Sequence, residues 1–174
     1  MKKILLTGDS LIEFFDWQSR FPQFDVDNEG IAGETVRGLR YGLPSLKARV
    51  EVPDVIVLMI GTNNLAMDDY AFLGDYQEVV EKFREWYPDA KVVITSLLPL
   101  YLPWLAPDAV QRLNDSLQRI AEKVGVDFLD VFSQFRAAGT GERDLFFEDG
   151  VHLSDAGYAV WSRVLEKYFA EIFT

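Results

Sequence analysis

The sequence predicts an α/β protein, a parallel β-sheet covered by helices on both faces. Three observations carry this. Short apolar runs closed by glycine recur along the chain. Segments with apolar residues every three or four positions lie between them. The two central runs, DVIVLMI at 54–60 and KVVITSL at 91–97, are apolar almost without break, as strands buried on both faces are.

In chain order, residues 4–7 are an apolar run closed by Gly8 and form the first strand. Residues 24–28 alternate apolar and polar before Gly30 and form the second. A helix follows at 35–50. The third strand, 54–60, ends at Gly61. The second helix, 73–86, places Tyr76, Val79, Val80, Phe83 and Trp86 at helical spacing. After the fourth strand, 91–97, the helix at 108–123 aligns Val110, Leu113, Leu117, Ile120 and Ala121. Pro107 suits its start and Gly125 its stop. The fifth strand, 126–129, is short enough to be an edge. The last helix, 154–173, opens on Ser154 as N-cap.

The length of 174 residues indicates a single domain, 1–174, able to bury a full core. Hydrophobic residues make up 49 %, which excludes a disordered chain. With no cysteine, disulfides, thiolate metal sites and a cysteine nucleophile are excluded. A net charge of −11 opposes binding to nucleic acid or to anionic membranes. No segment approaches the roughly 20 apolar residues of a membrane span. Lys2 and Lys3 precede an apolar stretch that stops at Gly8-Asp9, too short for a signal peptide, so the chain reads as cytoplasmic.

In open parallel sheets, ligands bind beyond the carboxyl ends of the strands. Those positions hold Gly8-Asp9-Ser10, the stretch 30–33, Gly61-Thr62-Asn63-Asn64 and Leu98-Pro99. Ser10 can cap a helix, act as a nucleophile, or do both. The single histidine, His152, precedes the last helix, and Asp149 lies three residues before it with Gly150 between. A turn of that length brings a carboxylate to Nδ1 and leaves Nε2 free as a base. Acyl chemistry also needs donors for a developing oxyanion. The Ser10 N–H, the Gly33 N–H and the Asn63 amide are candidates. Each has an ordinary alternative: Gly30 and Gly33 as turn residues, Asn63 as a cap, His152 as a surface residue.

The four blocks Gly8-Asp9-Ser10-Leu11, Gly33 in its loop, Gly61-Thr62-Asn63-Asn64 and Asp149-Gly150-Val151-His152 resemble those of the SGNH (GDSL) hydrolases, in the family order and over nearly the whole chain. The bacterial single-domain branch, with lysophospholipase/thioesterase-like and platelet-activating-factor acetylhydrolase-like members, is the most similar. The resemblance implies a three-layer α/β/α, flavodoxin-like sandwich with a five-stranded parallel sheet. It implies Ser10 as nucleophile, His152 as base and Asp149 as its partner, with an oxyanion hole of Ser10, Gly33 and Asn63. No metal or organic cofactor is needed for that chemistry. One residue departs: the third block commonly ends in Asn-Asp, and Asn64 stands here instead of the acid. Asp9 is family-typical and reads as structural.

The apolar run 97–105 follows the fourth strand. Leu98, Pro99, Tyr101 and Trp104 are candidates to line a substrate pocket, against the alternative of core packing under a loop. Phe14, Phe15 and Trp17 follow the nucleophile and are candidates for the pocket or the core. The expected partner is a small-molecule ester with a small or medium acyl group, acetylated sugars included. A thioesterase or lysophospholipase is the neighbouring alternative. A non-catalytic domain holding phosphate or flavin is the alternative of another class, against which no glycine-rich loop carries a lysine. The sequence does not fix an oligomeric state.

Overall fold

The computed structural model describes residues 1–173. Five parallel strands form one sheet in the order β2-β1-β3-β4-β5. They are β1 (Lys3–Gly8), β2 (Asp25–Gly30), β3 (Val55–Met59), β4 (Lys91–Thr95) and β5 (Asp127–Leu129). Every residue of β3 is fully buried, because β1 and β4 flank it and helices cover both faces. β5 is a three-residue edge strand, and β2 is the other edge, only partly buried.

The long helices are α3 (Val36–Arg49), α5 (Leu73–Trp86), α6 (Ala109–Val124) and α8 (Asp155–Ile172); the short ones are α1 (Ser10–Glu13), α2 (Trp17–Arg20), α4 (Thr62–Ala66) and α7 (Val131–Arg136). α3, α5 and α6 pack side by side as one layer. α8 packs with α1, α2 and α7 as the other. The long helices begin and end where the sequence marks them. Thr35 and Ser154 cap α3 and α8 through their hydroxyls, and Gly125 stops α6 in the left-handed conformation. Of the short helices, the sequence anticipates only the one that starts at Ser10.

The layer formed by α8 and α2 is joined by aromatic rings. Trp17 meets Trp161 edge-on at 5.1 Å and Phe21 meets Phe169 at 5.3 Å. Two side chains of this layer also serve α1. The Trp17 indole donates to the Ile12 carbonyl at 2.8 Å and the Tyr158 hydroxyl to the Leu11 carbonyl at 3.0 Å. A four-residue helix has few bonds of its own, so these side chains fix its place.

The chain winds outward from β1 to β2 and then returns to β3 on the other side of β1. This reversal opens a crevice at the carboxyl ends of β1 and β3. The register holds those ends level, with Gly8 opposite both Gly30 and Met59. Residues that follow β1, β2 and β3 therefore meet at one rim.

Candidate active site

Ser10 is the first residue of α1 and does not cap it. Asp9 is the cap, its Oδ1 accepting the Leu11 N–H at 3.0 Å. The Ser10 hydroxyl is left to face His152, with Oγ 3.0 Å from Nε2. His152 in turn places Nδ1 2.6 Å from Asp149 Oδ2. The other oxygen of Asp149 accepts the backbone N–H groups of Val151 and His152, at 2.9 and 3.0 Å. These bonds lock the turn that brings carboxylate and imidazole together. Partial burial pulls the Asp149 carboxyl upward, but the hydrogen bonds outweigh it and hold the group below the usual carboxylate range.

Gly150 makes this turn possible in two ways. It has φ +72°, and an added Cβ would come within 2.7 Å of the Tyr101 Cβ. Its carbonyl accepts the Tyr101 N–H at 3.0 Å. The loop after β4 thus supports the Asp149–His152 loop by its backbone.

The expected donors occupy the neighbouring strand ends. Neither the Ser10 N–H nor the Gly33 N–H has an acceptor among the described residues. Gly33 lies at φ +79°, with open space where a Cβ would be. Glycine is required there for the backbone conformation rather than for room. Asn63, in the first turn of α4, does not cap it; its amide donates to the Glu34 carbonyl at 2.9 Å. That bond joins the loops after β2 and β3.

Asp9 lies fully buried behind Ser10. Oδ2 has no hydrogen bond of normal geometry, although the Thr62 hydroxyl is close enough to oppose the shift. Burial pushes the carboxyl from 3.8 up to about 6, against the Leu11 N–H, Thr62 and His152. A raised value means that the folded state holds this proton more tightly. Its stabilising contribution is complete below about pH 4 and lost as pH rises through about 6. Asp9→Asn removes that titration. The melting temperature of the variant relative to the parent is expected to rise between about pH 4 and pH 7, equivalent to at most about 3 kcal/mol. A difference flat across that range would assign Asp9 an ordinary carboxyl.

The candidate pocket residues separate. Leu98 is 1 % exposed and belongs to the core, which corrects its place as a lining residue. The reason lies in α6, where the buried Asn114 amide bonds both the N–H and the carbonyl of Leu97, at 2.7 and 2.9 Å, and draws the run inward. Pro99 and Tyr101 line a cavity of about 450 Å³ that includes neither Ser10 nor His152. The Tyr101 hydroxyl donates to the buried Glu142, which also accepts from Arg136. Trp104 is exposed. Of the aromatic residues after Ser10, Trp17 is core and Phe15 stacks on Tyr158 at 4.3 Å. Phe14 is 60 % exposed, its ring 5.7 Å from that of His152. Phe14 is thus the apolar surface beside the imidazole. Among the described residues, no cluster of histidine and carboxylate groups is arranged to hold a metal ion, and no helix is long and apolar enough to cross a membrane.

A doubly wound sheet with hydroxyl, imidazole and carboxylate in series at its switch point is the framework of a serine hydrolase. The chain belongs to the GDSL-like lipase/acylhydrolase family, whose model matches residues 8–160, and it is an ester-hydrolysing enzyme. It is 24 % identical over 180 residues to the platelet-activating factor acetylhydrolase IB subunit alpha2 of Rattus norvegicus, covering 97 % of this chain and 76 % of that protein. Among solved structures, it resembles a Streptococcus pneumonia protein named in connection with platelet activating factor, with a TM-score of 0.83 and 26 % identity over 96 % of this chain and 83 % of that one. An acetyl-xylooligosaccharide esterase from Geobacillus shares the fold, with a TM-score of 0.77 and 21 % identity over 95 % of this chain and 93 % of that one.

Proposed function

We propose that the protein is a serine esterase that cleaves carboxylic esters of small acyl groups, acetylated sugars included, through an acyl-Ser10 intermediate. The observation that carries this is the unbroken series Ser10 Oγ, His152 Nε2, His152 Nδ1 and Asp149 Oδ2, at 3.0 and 2.6 Å. As Oγ attacks the ester carbonyl carbon, its proton passes to Nε2. The tetrahedral oxyanion is met by the Ser10 and Gly33 N–H groups and the Asn63 amide. The intermediate collapses, the alcohol leaves with the proton from Nε2, and water repeats the sequence on the acyl-enzyme. Asp149 remains ionised throughout and stabilises the imidazolium.

A small acyl group agrees with two features. Two cavities, of about 570 and 450 Å³, are lined without Ser10 or His152. Both the acetylhydrolase and the sugar esterase that the chain resembles carry an acetyl ester in their names. A fluorophosphonate probe is expected to label Ser10 stoichiometrically, as read by peptide mass. Absence of labelling would remove Ser10 as the nucleophile. In a panel of p-nitrophenyl esters, acetylated xylose and an acyl thioester, kcat/KM is expected to peak at acetyl and fall with chain length. A peak at eight or more carbons, or on the thioester, would favour a lysophospholipase or thioesterase.

A further inference from the structure

Asn64 uses both polar atoms of its side chain to join separate parts of the rim. It is 1 % exposed in α4. Its Oδ1 accepts the Val36 N–H at 3.0 Å, and its Nδ2 donates to Asp69 Oδ2 at 2.8 Å. Asp69 returns its own N–H to the Asn64 carbonyl at 2.8 Å and uses Oδ1 to accept the Ala71 N–H at 2.9 Å. The Val36 N–H opens α3 and has no acceptor within that helix. Two residues earlier, the Glu34 carbonyl holds the Asn63 amide. The stretch 34–36 is therefore fastened to α4 by two adjacent asparagines, one donating and one accepting.

The donor and acceptor inventory of the pair closes only in certain combinations. An aspartate at 64 still accepts from Val36, but its second oxygen faces Asp69 Oδ2 at the present 2.8 Å, carboxylate against carboxylate. An asparagine at 69 has one acceptor for two donors, the Ala71 N–H and the Asn64 amide. With both changes the inventory closes again: the new amide at 69 donates to the new carboxylate at 64, and its oxygen accepts from Ala71. The Ala71 N–H and then the Asn64 amide hold the Asp69 carboxyl below its usual range, consistent with the ionised form as the acceptor.

We propose that Asn64 and Asp69 form one positioning unit that sets α4, and with it the Asn63 amide, against the loop after β2, and that position 64 takes an acid only when position 69 gives up its own. This rests on Asn63 as an oxyanion donor. The test is kcat, KM and thermal unfolding of N64D, D69N, N64D/D69N and N63A, with p-nitrophenyl acetate as substrate. Each single change at 64 or 69 is expected to lower kcat about 10- to 100-fold with KM moved less than about threefold, and the double variant to lie within about fivefold of the parent. N63A is expected to lose about 10²- to 10³-fold in kcat.

A double variant as slow as the product of the two singles would overturn the pairing. Single variants that melt earlier but keep full kcat would restrict the pair to holding the fold and overturn its positioning role. Full kcat in N63A sinks the oxyanion reading itself, whereas a slow N63A beside uncoupled 64 and 69 sinks the pair alone. If N64D does not fold, recovery of both folding and kcat in the double variant supports the unit, and a double variant that stays unfolded overturns it.

Discussion

Ser10→Ala is expected to abolish ester hydrolysis, by about 10⁴- to 10⁶-fold in kcat, while the protein melts as the parent does. The two halves of this expectation have separate causes. The rate falls because no other group occupies the place of Oγ against His152 Nε2. The fold stays because the serine hydroxyl holds nothing in α1. The cap belongs to Asp9. The carbonyls of that segment are taken by Tyr158, Trp17 and Asn28, whose amide reaches Ile12 at 3.1 Å and Phe15 at 3.2 Å. Loss of this one part-buried hydrogen bond costs about 1 kcal/mol. Hydrolysis of p-nitrophenyl acetate by this variant at the parent rate would remove Ser10 from the mechanism. A large drop in melting temperature would show that the hydroxyl supports the fold after all.

Asp149→Asn is expected to reduce kcat by about 10⁴-fold without loosening the turn. Asp149 divides its labour between its oxygens. Oδ1 takes two backbone N–H groups, and an asparagine oxygen can take both. Oδ2 faces His152 Nδ1, and there the asparagine presents an N–H₂. Nδ1 must then accept, which moves the ring proton to Nε2, the atom that has to take the proton of Ser10. The ring keeps its place and loses its use. Steady-state kinetics together with unfolding checks both parts: low kcat with an unchanged melting temperature is the expected pair of results. Parent-like kcat would mean that the carboxylate does not set the tautomer.

Much of this arrangement is legible in the sequence because it is local. Strands and the four long helices declare themselves through period and closing residues, so Thr35, Gly125 and Ser154 mark true boundaries. The Asp149–His152 pair is legible because a three-residue spacing with a glycine inside describes a turn. The short helices α2, α4 and α7 escape because four to six residues are less than two turns and show no period, whereas α1 is marked by its place after the first strand. Asp9, Asp16 and Asp130 each cap one of them, a signal available to a reader who looks for the cap first. The pocket residues escape for a different reason. Leu98 is drawn inward beside Leu97, which is held by Asn114, 17 residues further on. Tyr101 is claimed by Glu142, 41 residues further on. No local pattern announces such partners, and an apolar run looks the same whether it lines a site or fills a core.

The contact between Ser10 and His152 spans 142 residues, from the start of α1 to the turn before the last helix. Contacts so distant along the chain form late, because closing a long loop costs entropy that only the assembled fold offsets. During synthesis Ser10 leaves the ribosome 142 residues ahead of His152. With Ser10 and His152 acting as proposed, the nascent chain is chemically silent until the Asp149–His152 turn has docked. Hydrolytic activity regained after denaturation thus times the closing of the whole chain rather than the folding of any one part.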